Sequence, residues 1–292
     1  MCGFSGELRT DGAAADVAAV DRMAGPLACR GPDGAGLFAQ GRVALAHRRL
    51  KIIDLSDRAA QPMHDADLGL TIVFNGCVYN YPQLRAELES AGYRFFSHGD
   101  TEVLLKAYHA WGERFVEKLS GMFAFALVER DSGKVVLGRD RLGIKPLYYT
   151  QERGRLRFAS TLPALVAGGG VDTSIDPVAL HHYLTFHSVV PAPHTILSGV
   201  RKLEPATLLV LEPDGTRRTE RYWSPPYTRH PDRAGWSPRD WEDAVLATLR
   251  GSVQRRLVSD VPVGVLLSGG VDSSLVVGLL AEAGQHGLAG LG

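Results

Sequence analysis

A cysteine follows the initiator methionine directly in the opening stretch MCGFSGE. If Met1 is removed, Cys2 carries both a thiol and a free α-amino group, whose ordinary pKa values are about 8.5 and about 7.7–8.0. The amino group can then accept the thiol proton near neutral pH, so that nucleophile and general base belong to one residue. A Met-Cys start alone is weak evidence for such catalysis, and the rest of the chain has to support it.

The stretch SGGVDSS at 268–274 has the composition of a phosphate-binding turn. Glycines let the backbone approach an anion, a following helix supplies unpaired N–H groups, and the three serines add hydroxyl donors. No Gly-Lys-Thr ending follows, so this is not a Walker A loop, and a serine-capped tight turn is the alternative. The similar stretch VAGGGVDTS at 166–174 follows no strand-like run and precedes Pro177, so we expect a simple turn there.

The secondary structure predicted from the sequence, which must position these residues, changes near residue 225. Up to that point β-rich runs alternate with helical ones, and GMFAFALVER, DSGK and VVLGRD together predict a hairpin. Helices are predicted for YPQLRAELESAG and TEVLLKAYHAWG, and strands for GRVALAHRRLKIIDL, LGLTIVFNGCVYN, ATLLVLE and TRRTERYW.

The segment after residue 225 has a different composition. Residues 226–240 are rich in proline and charge and have no apolar period, which indicates a linker. Two apolar segments flank the glycine-rich turn. VPVGVLL, before it, is typical of a buried strand, and SLVVGLLAEAG, after it, is typical of a helix. Before them, apolar residues recur every four positions and predict one helix face, at Trp241, Val245, Leu249, Val253 and Leu257.

Composition excludes several classes of function. The 292 residues are 45% hydrophobic and 22% charged, which is typical of one large or two ordinary globular domains. The 32 basic and 32 acidic side chains balance, so nothing indicates a nucleic-acid partner. Three cysteines make no disulfide framework. With no signal-peptide pattern and no apolar run of membrane-span length, we expect a cytoplasmic protein without a membrane partner.

Eight motifs, in order, resemble those of the glutamine-hydrolysing asparagine synthetases. They are MCGFSGE, RGPDG, HRRLKIID, FNGCVYN, GDTEVLL, GMFAFAL, GRDRLGIKPLYY and GVLLSGGVDSS, and they extend over almost the whole chain. The resemblance makes Cys2 the expected nucleophile. Stretches such as FNGCVYNY and ASTLPALVAGGGVDTSIDP look most similar to the branch that amidates N-acetylglutaminylglutamine.

The resemblance implies an α+β fold for residues 2–225, the αββα sandwich of an N-terminal-nucleophile hydrolase acting as a class II glutamine amidotransferase domain. A linker at 226–240 would join it to 241–292, the start of an α/β PP-loop ATP pyrophosphatase domain. Relatives continue for hundreds of residues beyond the PP-loop, so we expect the chain to be a fragment or a truncated product. Residues beyond about 240 should be poorly supported, because a parallel strand needs neighbours on its faces and edges.

The same resemblance assigns roles in glutamine hydrolysis. Met1 is expected to be lost, and Cys2 to attack the side-chain amide of L-glutamine, releasing glutamate and ammonia. The Asn75 side-chain amide and the Gly76 N–H are expected to hold the oxyanion. The residues implied in glutamine binding are Arg49, Ile52, Ile53, Asn75, Gly76, Cys77 and Asp100.

Free glutamine is a zwitterion, so its site needs one fixed charge of each sign. Arg49 suits the α-carboxylate because a guanidinium binds it as a bidentate fork, with a surface salt bridge as the alternative. Asp100 suits the α-ammonium, with a helix N-cap as the alternative. Cys77 stands where many members have a glutamate that helps hold the ammonium, so Asp100 is expected to act alone or in a reshaped pocket. Cys29 is expected to be a small buried apolar residue.

For the PP-loop half, the resemblance implies that ATP activates a carboxylate as an acyl-adenylate and that ammonia displaces AMP. Asp272 would lie near Mg²⁺, whereas the glutaminase half needs no cofactor. The acceptor is aspartate by family default or a glutaminylglutamine dipeptide, and a homodimer is the expected assembly because dimers are the commonest homo-oligomers. The residues implied in ATP binding are Leu266, Ser268, Gly269, Gly270, Asp272, Ser273 and Ser274.

Three hypotheses remain open. The chain belongs to an ATP-dependent carbon–nitrogen ligase and is by itself a glutaminase, or it is a stand-alone glutaminase, or it is a non-catalytic interaction module. The predicted glutamine-site residues, taken together, argue against the third. A β-lactam-forming relative would lack the terminal cysteine, and a phosphoribosyl-transferring amidotransferase would share the first domain but not SGGVDSS.

Overall fold

The computed structural model describes residues 1–152, 154–228 and 230–285. The chain divides into two compact units, Met1–Ser224 and a second that begins at Pro225. Positions 286–292, the end of the predicted ATP-binding segment, lie outside the described residues. Within the described ranges no helix is long and apolar enough to cross a membrane.

The first unit is built on two sheets, each of six strands among the described residues. The first sheet has the order β10-β8-β9-β1-β3-β2 and the second the order β12-β11-β7-β6-β5-β4, and neighbouring strands are antiparallel. The strands are β1 (Gly3–Arg9), β2 (Gly34–Gln40), β3 (Val43–Arg49), β4 (Met63–Asp65), β5 (Leu70–Val78), β6 (Gly121–Glu129), β7 (Val135–Arg139), β8 (Tyr148–Glu152), β9 (Arg155–Ala159), β10 (Arg201–Lys202), β11 (Thr207–Leu211) and β12 (Arg217–Arg221).

Six helices flank these sheets in the described part of the first unit. They are α1 (Val17–Ala24), α2 (Tyr81–Ser90), α3 (Asp100–Trp111), α4 (Phe115–Lys118), α5 (Leu162–Ala167) and α6 (Pro177–Thr185). The predicted β6–β7 and β11–β12 pairs and the predicted helices α2 and α3 are confirmed. The stretch at 166–174 is a turn after α5, as expected, with Gly169 and Gly170 at positive φ.

Apolar faces define the layers of this unit. One buried cluster, which includes Phe4 and Leu137, lies between the two sheets. A second lies between the second sheet and helices α2 to α4, and smaller clusters pack α1 and α5 on the first sheet. Burying each large apolar side chain contributes roughly 1.5–3 kcal/mol. The order of layers is therefore helix, sheet, sheet, helix, and the strand ends between the sheets form a rigid frame for a site.

The second unit contains two long helices in its described part, α7 (Pro238–Arg255) and α8 (Val271–Gln285). A capping box of Ser237 and Asp240 begins α7, and Arg250 pairs with Glu282 of α8 at 2.9 Å. Of the apolar face predicted for this helix, Trp241 and Val245 are exposed, Leu249 and Val253 are half-buried, and Leu257, also half-buried, follows the end of α7.

The strand predicted for VPVGVLL is wrong. Residues 261–267 form no strand, and the side chain of Leu266 is 94% exposed. A buried strand needs a neighbour to satisfy its N–H and C=O groups, and the described part of this unit offers none.

Candidate active site

A cavity of about 250 Å³ opens where the chain enters β1. Its walls come from the end of β3 and the loop after it, the middle of β5, the start of α3 and the start of β6. It brings together every residue predicted to bind or hydrolyse glutamine, namely Cys2, Arg49, Ile52, Ile53, Asn75, Gly76, Cys77 and Asp100.

The thiol of Cys2 is held at one end of this cavity by the backbone of Leu50. The Leu50 N–H donates to Cys2 Sγ at 3.3 Å, and Sγ lies 3.5 Å from the Leu50 carbonyl oxygen. Arg30 Nε donates to the Cys2 carbonyl oxygen at 3.1 Å and fixes the backbone of the same residue. Burial raises the pKa of the Cys2 thiol, although the Leu50 bond opposes this shift. The thiol is therefore oriented but uncharged at neutral pH, and it needs a base.

Met1 is still attached in this structure and lines the same cavity. Lys145 Nζ donates to Met1 Sδ at 2.9 Å. Burial lowers the pKa of the Met1 amino group, and Arg30 and Lys145 lower it further. The nitrogen of Cys2 is thus a peptide nitrogen here and becomes a basic amine only when Met1 is removed.

Asn75 presents an unused donor to the cavity from the middle of β5. The residue is 1% exposed, and its Nδ2 has no hydrogen-bond partner among the described residues. Leaving a buried donor unpaired costs about 1–3 kcal/mol, so an acceptor oxygen that bonded to Nδ2 would recover this free energy. A ligand oxygen that enters the cavity would fill it.

Gly76, beside it, is required by strand packing. A Cβ atom at this position would lie 2.3 Å from the Met122 carbonyl oxygen and 2.8 Å from Phe123 Cα, both on β6. Glycine therefore lets β5 and β6 approach each other where they form the cavity wall.

Asp100 places a carboxyl group in the cavity with little solvent contact. Its Oδ2 accepts from the Val78 N–H at 3.0 Å, and the side chain is 6% exposed. Burial raises the pKa of Asp100 from 3.8 to about 6. Gly99, not Asp100, occupies the N-cap position of α3, so the capping alternative is not what the structure shows.

Arg49 lies at the end of β3 with its guanidinium turned to the loop that follows. It donates to the carbonyl oxygens of Ser56 at 2.8 Å, Ile53 at 3.5 Å and Asp54. Within the described residues no carboxylate lies within 4.0 Å of it, so the surface salt bridge is not found. Arg49 therefore supports one cavity wall and also faces the cavity.

Several cavity residues were not found from the sequence. Lys145 lies within the quoted motif GRDRLGIKPLYY, yet nothing in the spacing shows that its ammonium enters the site. Gln61 accepts from the Phe74 N–H at 2.6 Å and donates to Thr101 Oγ1 at 3.3 Å, which joins β5 to α3. The prediction that Cys29 is buried is wrong, because its side chain is exposed.

The predicted ATP-binding residues lie in the second unit. Gly269 has φ +82° with no atom within 4 Å of an added Cβ, so the turn before α8 is open. Ser268 Oγ lies 3.0 Å from Ser273 Oγ, and Ser273 and Ser274 both donate to the Gly270 carbonyl oxygen at 2.9 Å. The three hydroxyl protons are thus used within the turn, and its open backbone is the part that fits phosphate oxygens.

Asp272 is the carboxylate in the first turn of α8. Mg²⁺ is commonly held by one or two carboxylates together with substrate phosphates, so a single aspartate fits a nucleotide-borne ion. Over the described residues no group of three His, Cys, Asp or Glu side chains could hold a metal by itself.

A larger cleft of about 640 Å³ lies elsewhere on the first unit, but its charges neutralise one another. Lys134 pairs with Glu129 at 3.0 Å and with Glu113 at 3.5 Å, and Arg218 pairs with Glu113 as well. With its charged groups paired in this way, the cleft lacks the combination of nucleophile and unused donor found beside Cys2.

Comparison with known proteins gives a family match for each of the two units. Residues 1–223 match the family model described as glutamine amidotransferase domain, and residues 244–289 match the one described as asparagine synthase. The chain is 37% identical over 290 residues to asparagine synthetase (glutamine-hydrolyzing) 1 of Bacillus subtilis (strain 168) and 35% identical over 264 residues to asparagine synthetase (glutamine-hydrolyzing) 3 of the same strain. The matches cover 97% and 90% of this chain but 44% and 42% of those relatives, so the chain spans less than half their length.

A solved structure confirms the fold of the first unit. The glutamine phosphoribosylpyrophosphate amidotransferase from B. subtilis, complexed with ADP and GMP, matches with a TM-score of 0.58 and 20% identity, over 76% of this chain and 49% of that one. At this identity the likeness shows the fold alone, which is the predicted αββα sandwich of the N-terminal-nucleophile hydrolases.

Proposed function

Because the chain belongs to the glutamine amidotransferase domain family, we propose that it releases ammonia from the side-chain amide of L-glutamine, with Cys2 as the nucleophile. The observation that carries this proposal is the unpaired Nδ2 of Asn75 in the same cavity as the oriented Cys2 thiol. Hydrolysis of an amide needs both a nucleophile and a donor for the oxyanion.

The steps follow from the groups in the cavity. After removal of Met1, the α-amino group of Cys2 accepts the thiol proton, and the thiolate attacks the amide carbon of glutamine. The former carbonyl oxygen becomes an oxyanion that accepts from Asn75 Nδ2 and the Gly76 N–H. The α-ammonium group then protonates the leaving nitrogen, ammonia departs, and a thioester remains. Water, deprotonated by the same amine, hydrolyses the thioester to glutamate and regenerates the thiol.

Recognition of free glutamine requires its two charges to be paired. We assign the α-ammonium to the Asp100 carboxylate, since a buried carboxylate gains a counter-ion only when a cation enters. We assign the α-carboxylate to Arg49, whose five N–H donors exceed the three carbonyl contacts described above. Ile52, Ile53 and Cys77 would form the remaining wall around the substrate.

Alanine at position 75 tests the oxyanion assignment. Asn75→Ala should lower kcat for ammonia release about 10²–10³-fold with little change in KM, because the donor acts chiefly on the charge that develops in the transition state. The measurement is steady-state ammonia release by chain free of Met1. A variant that folds, as shown by circular dichroism, and keeps wild-type kcat would contradict the proposal.

The pH dependence of KM tests the role of Asp100. In the free protein its pKa is about 6, and only the ionised form pairs with the glutamine ammonium. KM should therefore rise about tenfold for each pH unit below about 6. Bound substrate keeps Asp100 ionised, so kcat should not show the same fall at low pH. A KM that stays constant down to about pH 5 would exclude Asp100 as the ammonium ligand.

For the whole protein we propose an ATP-dependent carbon–nitrogen ligase of the asparagine synthetase type. Residues 2–225 would be the glutaminase domain, 226–240 the linker and 241–292 the start of the ATP-binding domain, which matches the asparagine synthase model at 244–289. The residues that would hold ATP are Leu266, Ser268, Gly269, Gly270, Asp272, Ser273 and Ser274.

ATP bound there would supply activation of the acceptor carboxylate, and Asp272 would hold Mg²⁺. Aspartate is the acceptor we propose first and a glutaminylglutamine dipeptide second. The three cysteines, all among the described residues, form no disulfide, which suits the reducing cytoplasm that we propose as the location. A homodimer is the assembly we propose.

A further inference from the structure

Lys145 is a buried cation at the thiol end of the cavity. It follows β7 in the loop that leads to β8, and its side chain is 3% exposed. Its Nζ donates to the sulfur of Met1, a weak acceptor, at 2.9 Å. Removal of Met1 takes this acceptor away and leaves the ammonium facing the newly formed end of the chain.

Lys145 lacks a counter-ion in the described part of the chain, and burial, followed by the charge of Arg30, lowers the pKa of its ammonium. Among the described residues no carboxylate lies within 4.0 Å of Nζ, which sets it apart from Lys106, paired with Asp65. The acidic group that most favours the charged form of Lys145 is Asp140. The carboxylate of Asp140 already accepts from the backbone N–H groups of Phe123, Leu142, Ile144 and Lys145 itself.

The other titratable groups that act on Lys145 or on the N-terminus can be named. Arg30 repels Lys145, and the thiols of Cys2 and Cys77 attract it when ionised. Asp33 acts weakly on the terminal amino group. Across the cavity lie Arg49 and Asp100, which act on the Cys2 thiol with opposite signs and are assigned to substrate.

A terminal amine can accept a proton only when it is neutral. Its ordinary pKa of about 7.7–8.0 leaves most of it protonated at pH 7. A fixed positive charge nearby disfavours the protonated form, and this effect is strongest where water is excluded.

We propose that the buried Lys145 ammonium disfavours protonation of the Cys2 α-amino group once Met1 has been removed, and so keeps that group available as the general base. The proposal rests on the function proposed above. Lys145 touches neither the scissile amide nor the oxyanion donors in this role, so it is a positioning residue that acts through its charge. Arg30 has a different duty, because its Nε holds the Cys2 carbonyl oxygen.

The test compares Lys145→Met with the wild-type chain, both confirmed by mass spectrometry to be free of Met1. At saturating glutamine, kcat reports the amine because substrate holds Asp100 ionised. The kcat of Lys145→Met should be about three- to tenfold below wild type near pH 6.5 and approach wild type near pH 9. The reason is that loss of the lysine charge makes the amine easier to protonate, so kcat falls at a higher pH than in wild type. Lys145→Arg, which keeps the charge, should restore the wild-type limb.

A second readout does not need turnover. The rate of α-amino acylation by acetic anhydride, followed by mass spectrometry against pH in a Cys2→Ala background without glutamine, reports the neutral amine without any contribution from the thiol. Its midpoint should move upward when Lys145→Met is added. A chain that releases no ammonia but shows this shift would count against the proposed function and still support the role of Lys145.

Lys202→Met is the matched control. Lys202 is partly buried, donates to the Val190 carbonyl oxygen at 2.9 Å and does not line the cavity, so its removal should leave both pH profiles unchanged. Two results would overturn the proposal: profiles of Lys145→Met that superimpose on wild type, or a kcat reduced by the same factor at every pH. If Lys145→Met does not fold, Lys145→Gln serves the same comparison.

Discussion

Cys2→Ala is expected to abolish ammonia release from L-glutamine. The substitution removes the thiol that we propose as the attacking group, while the α-amino group and the oxyanion donors remain. Loss of a catalytic nucleophile costs at least about 10⁴-fold in kcat in comparable hydrolases. The measurement is ammonia production by chain free of Met1, coupled to a dehydrogenase that consumes it.

Two matched cysteine variants make this result specific. Cys29→Ala should keep wild-type activity, because that thiol is exposed and lies outside the cavity. Cys77→Ala distinguishes the two thiols that line the cavity, since it should change KM more than kcat. If Cys77→Ala abolished ammonia release while Cys2→Ala preserved it, the nucleophile would have to be reassigned to Cys77.

Much of the cavity could be predicted because its residues lie in short motifs with recognisable chemistry. The strands that carry them have strong β propensity and two clear apolar faces, so β5 and β6 could be placed from the pattern alone. The packing of the two sheets on each other then brings Asn75 and Gly76, on β5, into one cavity with Cys2, which precedes β1 in the other sheet. A resemblance to a family supplied the roles that spacing could not.

The features that could not be predicted depend on tertiary contacts. Leu50 holds the Cys2 thiol through its backbone, which has no sequence signature. Lys145 is buried without a carboxylate partner, whereas an isolated lysine in a sequence is ordinarily assigned to the surface. Likewise, the apolar run at 261–267 favours a strand only if another strand lies beside it, and the sequence pattern carries no information about that neighbour.

Asp100→Asn is expected to have two opposite effects. It should lower kcat/KM for glutamine about 10²–10³-fold, because an amide cannot balance the substrate ammonium in a buried site. It should also stabilise the free protein at neutral pH. The carboxyl titrates near pH 6 in the folded chain and near 3.8 when exposed, so holding it ionised costs about 3 kcal/mol of unfolding free energy.

Because folding raises the pKa of Asp100, the gain in unfolding free energy from Asp100→Asn depends on pH. Below about pH 3.8 the carboxyl is protonated in both states and contributes nothing, and the penalty grows as pH rises towards 6. Asp100→Asn should therefore gain about 3 kcal/mol at pH 7–8 and nothing near pH 3.5. Urea unfolding of the glutamine-free protein at these pH values, followed by circular dichroism, measures the difference. The amide keeps an oxygen for the Val78 N–H, so that hydrogen bond is retained in the variant.

Asp65→Asn provides the control of opposite sign. Asp65 is also buried, which alone would raise its pKa, but the bond from Lys106 holds the pKa below its ordinary value. Its ionised form is therefore favoured by folding, and the amide should destabilise the protein at pH 7. If Asp100→Asn also destabilised the protein at pH 7, its carboxylate would have to be a structural ion rather than one that the fold keeps for a substrate cation. A gain in unfolding free energy together with a loss of glutamine binding would instead show that the ionised Asp100 carboxylate destabilises the fold and serves to bind the ligand.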